Sequence, residues 1–155
     1  MSVTMSLSNP AGTPDPRAAK VAAYFEAITP GTLAQLDSVY AEGARFVDPF
    51  NDVVGHAAIR RVFDHMFATL DAPRFDIVGT LTEGDQCFML WNFSFRRRGR
   101  SGATVIHGAS HLRFGADGRI ASHRDYWDPA RELYEGLPVL GALMRWLRRR
   151  LSAHA

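Results

Sequence analysis

The chain has 155 residues, of which 46% are hydrophobic and 22% charged, and its formal net charge at pH 7 is only +2. This length and composition are typical of one compact domain with its own core. No apolar run reaches the ~18 residues of a membrane span, which excludes an integral membrane protein, and the small net charge argues against a nucleic-acid-binding protein. The only cysteine, Cys87, excludes an internal disulfide framework and favours a reducing, cytoplasmic location.

The first half of the chain is predicted to form three helices. Asp15 is placed to cap the first helix, and Pro16 suits its first position. Residues 29–31 read Thr-Pro-Gly and end this helix, after which a short second helix is predicted. Gly55 precedes the third helix. Apolar residues at helical spacing are Val21, Tyr24, Phe25 and Ile28 in the first helix, Leu33, Leu36, Val39 and Tyr40 in the second, and Ile59, Val62, Phe63, Met66, Phe67 and Leu70 in the third.

After Pro73 the hydrophobic period changes from 3.6 to 2, which is typical of strands. Four strands are predicted near residues 74–82, 86–97, 103–114 and 119–127, joined by hairpin turns. The second strand has one entirely apolar face, formed by Cys87, Met89, Trp91, Phe93 and Phe95. Helices followed by a strand meander predict an α+β fold.

Two terminal segments flank the domain, which is predicted over residues 15–128. Residues 1–14 are rich in Ser, Thr and Pro and lack the charged and apolar regions of a signal peptide, so a disordered tail is expected. Pro129 and Pro138 are predicted to begin helical pieces of an extension over residues 129–155. Its last helix is apolar on one side and basic on the other, which favours packing against the domain or a second copy, with an anionic membrane surface as the alternative.

One acidic residue, Asp48, lies in the apolar run Ala44-Arg45-Phe46-Val47-Asp48-Pro49-Phe50, between two predicted helices. A carboxylate among Phe and Val loses hydration and becomes more basic unless a partner compensates. This is one way in which a fold creates a general base. The alternative interpretation is that Asp48 caps a turn, because Asp-Pro commonly starts one.

Three short helices followed by a hairpin meander, with Asp48-Pro49 after the second helix, resemble the ketosteroid isomerase and SnoaL-like branch of the nuclear transport factor 2-like superfamily. The resemblance spans about residues 17–128. It implies an α+β cone in which a curved mixed or antiparallel sheet wraps around the helices and encloses a deep apolar pocket. It also implies chemistry without a cofactor, and a homodimer.

The resemblance to ketosteroid isomerase assigns three positions. Tyr24, in Val21-Ala22-Ala23-Tyr24-Phe25, matches the tyrosine that donates a hydrogen bond to the oxyanion, and Asp48 matches the general base. The third group of that enzyme is a protonated aspartate on a strand. This chain has Ser110 there, whose hydroxyl is a weaker donor to an oxyanion.

The resemblance to SnoaL-like polyketide cyclases adds Asp125, since these enzymes use an acid/base aspartate on the last strand. Strand alternation puts His123, Asp125 and Trp127 on one face, which lines the pocket in the isomerase. The site is therefore predicted to hold two carboxylates, one ionised as base and the other neutral as acid. His123 is either a further acid/base group or a hydrogen-bonded residue of the pocket wall.

Large apolar side chains are predicted to form the core, and some of them also the wall for a flat hydrophobic ligand. These are Phe46, Phe63, Phe67 and Trp91. No metal site is predicted, because His107 and His111 lie four residues apart on one strand, roughly 13 Å. The chain lacks a Gly-x-Ser-x-Gly elbow, which argues against a serine hydrolase.

Three functions follow as hypotheses. The first is an isomerase or cyclase that moves a proton on a hydrophobic ketone or polycyclic substrate, with Asp48 as base, Tyr24 and Ser110 as donors, and Asp125 and His123 as a second acid/base pair. The second is a non-catalytic protein that binds an apolar metabolite in the same pocket. The third is a dimeric interaction module whose cone is filled by its own side chains.

Overall fold

The computed structural model describes residues 13–97, 99, 101–132, 142–143, 145–146 and 149. Its helices are α1 (Pro16–Glu26), a 3₁₀ helix (Thr32–Ser38), α2 (His56–Thr69) and α3 (Pro129–Glu132). Its strands are β1 (Tyr40–Val47), β2 (Asp52–Val54), β3 (Leu70–Glu83), β4 (Gln86–Arg97), β5 (Ala103–Phe114) and β6 (Ile120–Tyr126). The predicted α+β class is confirmed, as helices that pack on one curved, mixed, six-stranded sheet.

Both long helices begin where the sequence predicts. The Asp15 carboxylate accepts hydrogen bonds from the backbone N–H groups of Arg17 (2.8 Å) and Ala18 (3.4 Å), and Pro16 occupies the first position of α1. Gly55 precedes α2 with φ of 89°, a backbone conformation that only glycine adopts without strain. Both helices bury one apolar face against the sheet.

The predicted second helix is wrong beyond Ser38. The segment is a 3₁₀ helix that buries Leu33 and Leu36, and the chain then becomes extended, so that Tyr40 begins strand β1. Within β1 the buried residues are Tyr40, Ala44 and Phe46, which all lie an even number of residues apart. This two-residue period is the signal of a half-buried strand, and the sequence interpretation missed it because Val39 and Tyr40 also fit a helical period.

Asp48 therefore follows a strand and does not lie between two helices, contrary to the prediction. The turn after β1 leads into the short strand β2, which pairs antiparallel with β1. Strand β3 begins at Leu70, four residues before the predicted start, and Leu70 belongs to it rather than to α2. The bulge between Asp71 and Arg74, where Ala72 has φ of 49°, explains why the alternation is unreadable there.

The strands lie in the order β2-β1-β6-β5-β4-β3. Strands β3 to β6 form the predicted antiparallel meander, whereas β1 pairs with β6 in parallel, with Phe46 opposite His123 and Val47 opposite Arg124. The first and last strands are thus neighbours within the sheet. This pairing brings the residues around position 48 close to those around position 125.

The core lies between the concave face of the sheet and the two long helices. Its largest fully buried side chains include Tyr40, Leu33, Ile59, Met89 and Leu112. No helix among the described residues is long and apolar enough to cross a membrane. Three predicted features lie outside the described residues: residues 1–12 of the tail predicted over 1–14, the helix start at Pro138, and most of the basic apolar stripe after it.

Candidate functional site

A cavity of about 410 Å³ opens between α2 and the inner face of the sheet. Most of its wall is aromatic or aliphatic, and it includes four of the predicted ligand-contacting residues, namely Phe46, Phe63, Trp91 and Trp127. Its polar wall residues are Asp48, Asn51, His65, Thr69, Arg97 and Asp125. An apolar chamber with few polar groups is the usual form of a small-molecule site.

Asp48 reaches this cavity, but its carboxylate is held by its own turn. Its Oδ1 accepts hydrogen bonds from the backbone N–H groups of Phe50 (2.7 Å) and Asn51 (2.6 Å), and the Asn51 side-chain amide lies 3.0 Å from both carboxylate oxygens. The backbone N–H of Asp48 donates in turn to the Asn51 carbonyl at 2.9 Å. Asp48 thus caps a turn, as the alternative interpretation proposed, and it also faces the chamber. These local partners give both carboxylate oxygens a hydrogen-bond donor.

Asp125 enters the same cavity from β6 and is held by Ser110 of the neighbouring strand β5 and by His123, two residues earlier on β6. Its Oδ1 accepts a hydrogen bond from the Ser110 hydroxyl at 2.5 Å and lies 2.7 Å from Nε2 of His123. Ser110 is directly opposite Asp125 in the pairing of β5 with β6. Within the described part of the chain, the second oxygen, Oδ2, has no hydrogen-bond partner. Asp125 therefore offers one free carboxylate oxygen beside an apolar chamber.

His123 lies behind Asp125 and is almost completely buried, with 3% of its surface exposed. Its Nδ1 is 2.7 Å from the Tyr40 hydroxyl, and the Tyr40 ring is stacked on the imidazole with an interplanar angle of 11°. Phe46 and Phe25 pack on its other sides. Burial raises the pKa of Tyr40 well above its usual range, and the negative charge of Asp125 raises it further.

The two carboxylates approach the cavity from neighbouring strands. Phe46 of β1 is paired with His123 of β6, and extending this parallel register by two residues brings Asp48 opposite Asp125. Adjacent strands lie roughly 4.8 Å apart, and residues two apart on one strand share a face. The predicted meeting of two acidic groups at one pocket agrees with this register.

A second cavity of about 20 Å³ adjoins the polar cluster. Its wall includes Ser110, His123 and Asp125 together with Phe25, Phe63 and Phe75. A volume of this size is about that needed to hold one water molecule. Ser110 and His123 thus line this small cavity rather than the larger one.

Two residues assigned at the sequence level do not line either cavity. Tyr24 is half-buried, its hydroxyl donates to the Thr32 carbonyl at 3.3 Å, and burial raises its pKa. The hydroxyl is thus directed to the 3₁₀ helix, and its contact with a substrate carbonyl stays a prediction. Phe67 packs against the core and does not line the chamber, and its contact with a ligand stays a prediction as well.

The sequence interpretation missed two residues of the polar cluster. Tyr40 fits the predicted helical stripe, although its even spacing from Phe46 and Asp48 indicates one face of a strand. Trp91 is predicted only as core or wall, whereas its indole N–H donates to the Ser110 hydroxyl at 2.9 Å. No single-strand pattern indicates this bond, since it joins two strands.

Glycine at position 108 explains how the Trp91 indole reaches Ser110. Trp91 and Gly108 are paired across β4 and β5. A Cβ added at position 108 would lie 2.2 Å from the Trp91 ring. The indole therefore lies flat over Gly108, which brings its N–H to the residue two positions further along β5.

The described residues contain no group of three His, Cys, Asp or Glu side chains placed to hold a metal ion. The arrangement instead suits acid/base chemistry, because a carboxylate oxygen faces an apolar chamber and its other oxygen is fixed by two donors. His107 and His111 lie on the outer face of β5, where they contact Asn92 and Gln86.

Similar solved structures share this architecture. A protein with a ketosteroid isomerase-like fold from Catenulispora acidiphila, in complex with trimethylamine, matches with a TM-score of 0.67 and 19% identity, over 78% of this chain and 92% of its own. A candidate SnoaL-like polyketide cyclase from Shewanella denitrificans matches with a TM-score of 0.62 and 19% identity, over 74% and 92%. TerC, co-crystallised with polyporic acid, matches with a TM-score of 0.66 and 15% identity, over 76% and 95%.

At identities of 15 to 19%, these similarities show a shared fold and nothing more. The comparison with curated proteins found no match. The family comparison is more specific, since the SnoaL-like domain matches residues 21–123. That range contains most of α1, the whole of β1 to β5, and β6 as far as His123. With its curved mixed sheet of the nuclear transport factor 2-like fold, the chain belongs to the SnoaL-like domain family.

Proposed function

We propose that this protein is a cofactor-independent enzyme of the ketosteroid isomerase and SnoaL-like type, which transfers a proton on a hydrophobic ketone or polycyclic substrate. One observation carries the proposal. Asp125 presents a carboxylate oxygen without a partner among the described residues to an aromatic chamber of about 410 Å³, while Ser110 and His123 hold its other oxygen. Such a group combines fixed orientation with an apolar environment, and both favour general base catalysis.

The proposed step begins with a C–H bond next to a substrate carbonyl. Asp125 Oδ2 takes the proton, the electron pair of the C–H bond forms the C=C bond of an enolate, and the carbonyl π electrons move to oxygen. In a β,γ-unsaturated ketone, Asp125 returns the proton to the γ carbon of the dienolate, which completes an isomerisation. In a molecule with a second carbonyl, the enolate carbon attacks that carbonyl, and the alkoxide so formed takes the proton back from Asp125, which completes a cyclisation. Neither route needs an oxidant or a reductant. General base catalysis contributes about 10²- to 10⁴-fold to such a step.

Asp48 takes a secondary role in this proposal. Its Oδ1 accepts three hydrogen bonds and its Oδ2 one, all from Phe50 and Asn51, so neither oxygen is left without a donor. The carboxylate lines the chamber together with Asp125. The proposed base is therefore Asp125 in place of Asp48.

The test works with a panel of candidate ligands. Steroid ketones, polyketide intermediates and terpene epoxides are screened for a rise in Tm, and each ligand found is incubated with the protein in D₂O. Proton NMR then measures deuterium incorporation next to the carbonyl. We expect exchange with wild type and its loss with Asp125→Asn, at unchanged ligand-induced Tm shift. Equal exchange rates in the two proteins would contradict the proposal.

In the alternative hypothesis, the protein binds an apolar metabolite in the same cavity without changing it chemically. The neighbours crystallised with trimethylamine and with polyporic acid indicate that this fold accommodates small organic molecules. A ligand that raises Tm, shows no deuterium incorporation and binds Asp125→Asn as well as wild type would favour this alternative. The hypothesis of a cone filled by its own side chains does not agree with the chamber between α2 and the sheet.

A homodimer and a cytoplasmic location stay predictions. Exposed apolar side chains cluster on the outer face of the sheet, at Leu81, Phe88, Leu90 and Val105. We expect light scattering to give the mass of a dimer for wild type and of a monomer for Phe88→Arg. Val54→Arg, at an exposed position of β2, is the matched control. A wild-type monomer would contradict the prediction.

A further inference from the structure

The protons of the polar cluster around Asp125 can be assigned one by one from its hydrogen-bond partners. The cluster runs from Tyr40 through His123, Asp125 and Ser110 to Trp91. An indole N–H can only donate, so the Ser110 oxygen accepts from Trp91. The single hydroxyl proton of Ser110 is then directed to Asp125 Oδ1, 2.5 Å away. The proton positions at the Trp91 end of the cluster are thereby determined.

The other end is fixed by Tyr40. Its side chain is fully buried, and within the described residues its hydroxyl has one hydrogen-bond partner, Nδ1 of His123. If Nδ1 carried a proton, it would donate to the tyrosine oxygen, and the buried tyrosine proton would lack an acceptor among these residues. An unpaired buried donor is unfavourable. Nδ1 therefore accepts from Tyr40, and the imidazole proton is on Nε2.

The two assignments meet at Asp125. The Nε2 proton of His123 and the hydroxyl proton of Ser110 both end on Oδ1, which leaves no place for a proton on that oxygen. A proton on Oδ2 would lack an acceptor among the described residues. A neutral imidazole and an ionised carboxylate therefore give every N–H and O–H of these five side chains an acceptor within the cluster. The raised pKa of Tyr40 agrees, since it keeps the phenol protonated beside the charged Asp125.

We infer that Tyr40 is a positioning residue which sets the tautomer of His123 and through it the direction and charge of the Asp125 carboxylate. This inference rests on the proposed function, in which Asp125 is the base. Tyr40 itself lines neither of the two cavities. In this inference His123 is a neutral hydrogen-bond donor to Asp125, in place of the predicted second acid/base group.

The experiment reads the tautomer directly, by nitrogen-15 NMR of the imidazoles in the full-length protein without ligand. Comparison with His123→Gln identifies the signals of His123. We expect a pyridine-like Nδ1 and a pyrrole-like Nε2 in wild type, and a mixture of tautomers in Tyr40→Phe, which keeps the stacked ring and removes the hydroxyl. Tyr24→Phe is the control, because it removes a hydroxyl that bonds to a backbone carbonyl outside the cluster.

Two results would overturn the inference. One is a wild-type His123 that carries its proton on Nδ1 or on both nitrogens, and this measurement stands even if Tyr40→Phe does not fold. The other is an unchanged tautomer in folded Tyr40→Phe. With a ligand from the panel, we further expect Tyr40→Phe to exchange protons roughly tenfold more slowly, as for loss of one hydrogen bond. The predicted tautomer without any exchange in wild type would support the inference and contradict the proposed function.

Discussion

The two aspartates of the chamber are held in opposite ways. Asp48 is bonded by residues two and three positions further along the chain, within a single turn. Asp125 is bonded by Ser110, which lies 15 residues earlier on another strand, and by a histidine whose partner Tyr40 is 83 residues away. The first arrangement forms with the turn itself, whereas the second exists only when three strands are in register.

This difference indicates which of the two carboxylates has an oxygen available to a ligand. Both oxygens of the Asp48 carboxylate accept hydrogen bonds from its own turn. The Asp125 carboxylate is bonded at one oxygen only, among the described residues, and its orientation depends on Ser110 of another strand.

The largest effect is expected for proton transfer. Asp125→Asn should slow ligand proton exchange by about 10²- to 10⁴-fold, because it removes the base. Asp48→Asn should slow it less than about tenfold, since an amide oxygen can still accept the turn's hydrogen bonds. Exchange rates in D₂O measure both. A larger loss of exchange rate in Asp48→Asn than in Asp125→Asn would indicate that Asp48 is the base and would contradict the comparison.

The second prediction concerns Gly108. Its close neighbour Trp91 donates a hydrogen bond to Ser110 of the polar cluster around Asp125. Gly108→Ala places a methyl group against the Trp91 indole, and overpacking of this kind costs about 1 to 3 kcal/mol. It should lower the free energy of unfolding by that amount in urea denaturation and also slow proton exchange. Gly43→Ala is the matched control, since a Cβ there meets no atom within 4 Å. Equal stability of the two variants would contradict the close packing.

The third prediction concerns the Asp48 turn. Asp48→Ala removes the acceptor for two backbone N–H groups and one side-chain amide, and should lower the free energy of unfolding by about 1 to 2 kcal/mol. The nitrogen-15 signals of His123 should stay unchanged, because the turn and the polar cluster share no hydrogen bond among the described residues. A changed tautomer would show that the two sites are coupled.

The smallest effect is expected at Asp15, a third carboxylate bonded within its own turn. The side-chain hydrogen bond from Arg17 lowers the pKa of Asp15 from 3.8 to about 2. Since the folded pKa lies below the unfolded one, this contribution to stability is present above pH 3.8 and is lost as the pH falls towards 2. The free energy of unfolding should fall more steeply over that interval for wild type than for Asp15→Asn. Equal slopes of unfolding free energy against pH for wild type and Asp15→Asn over this interval would contradict the lowered pKa of Asp15.

Much of the fold was predictable because its signals are local. The cap at Asp15, the glycine before α2 and the three hairpins of the meander each depend on a few adjacent residues. Strand β1 was missed because a 3₁₀ helix runs into it without a break, and β2 because three residues are too short for a period. The position of Asp125 could be predicted from the resemblance to polyketide cyclases.

The arrangement of the site depended on pairings that one sequence does not contain. The bonds from Trp91 to Ser110 and from Tyr40 to His123 each join different strands, and neither residue type indicates its partner. Tyr24 and Phe67 lie outside the walls of the two cavities, because a helical period gives the buried face but not which part of that face borders a cavity. The two interpretations of Asp48, as a base and as a turn cap, could not be separated without its hydrogen bonds.

The parallel pairing of β1 with β6 has a consequence for synthesis of the protein. The chain from residue 40 to residue 118 must be made before its last strand can dock against its first. Until then β1 has an unpaired edge, and the chamber lacks Asp125 from its wall. A nonsense mutation before position 120 should therefore leave an aggregation-prone fragment rather than a folded protein with an altered chamber.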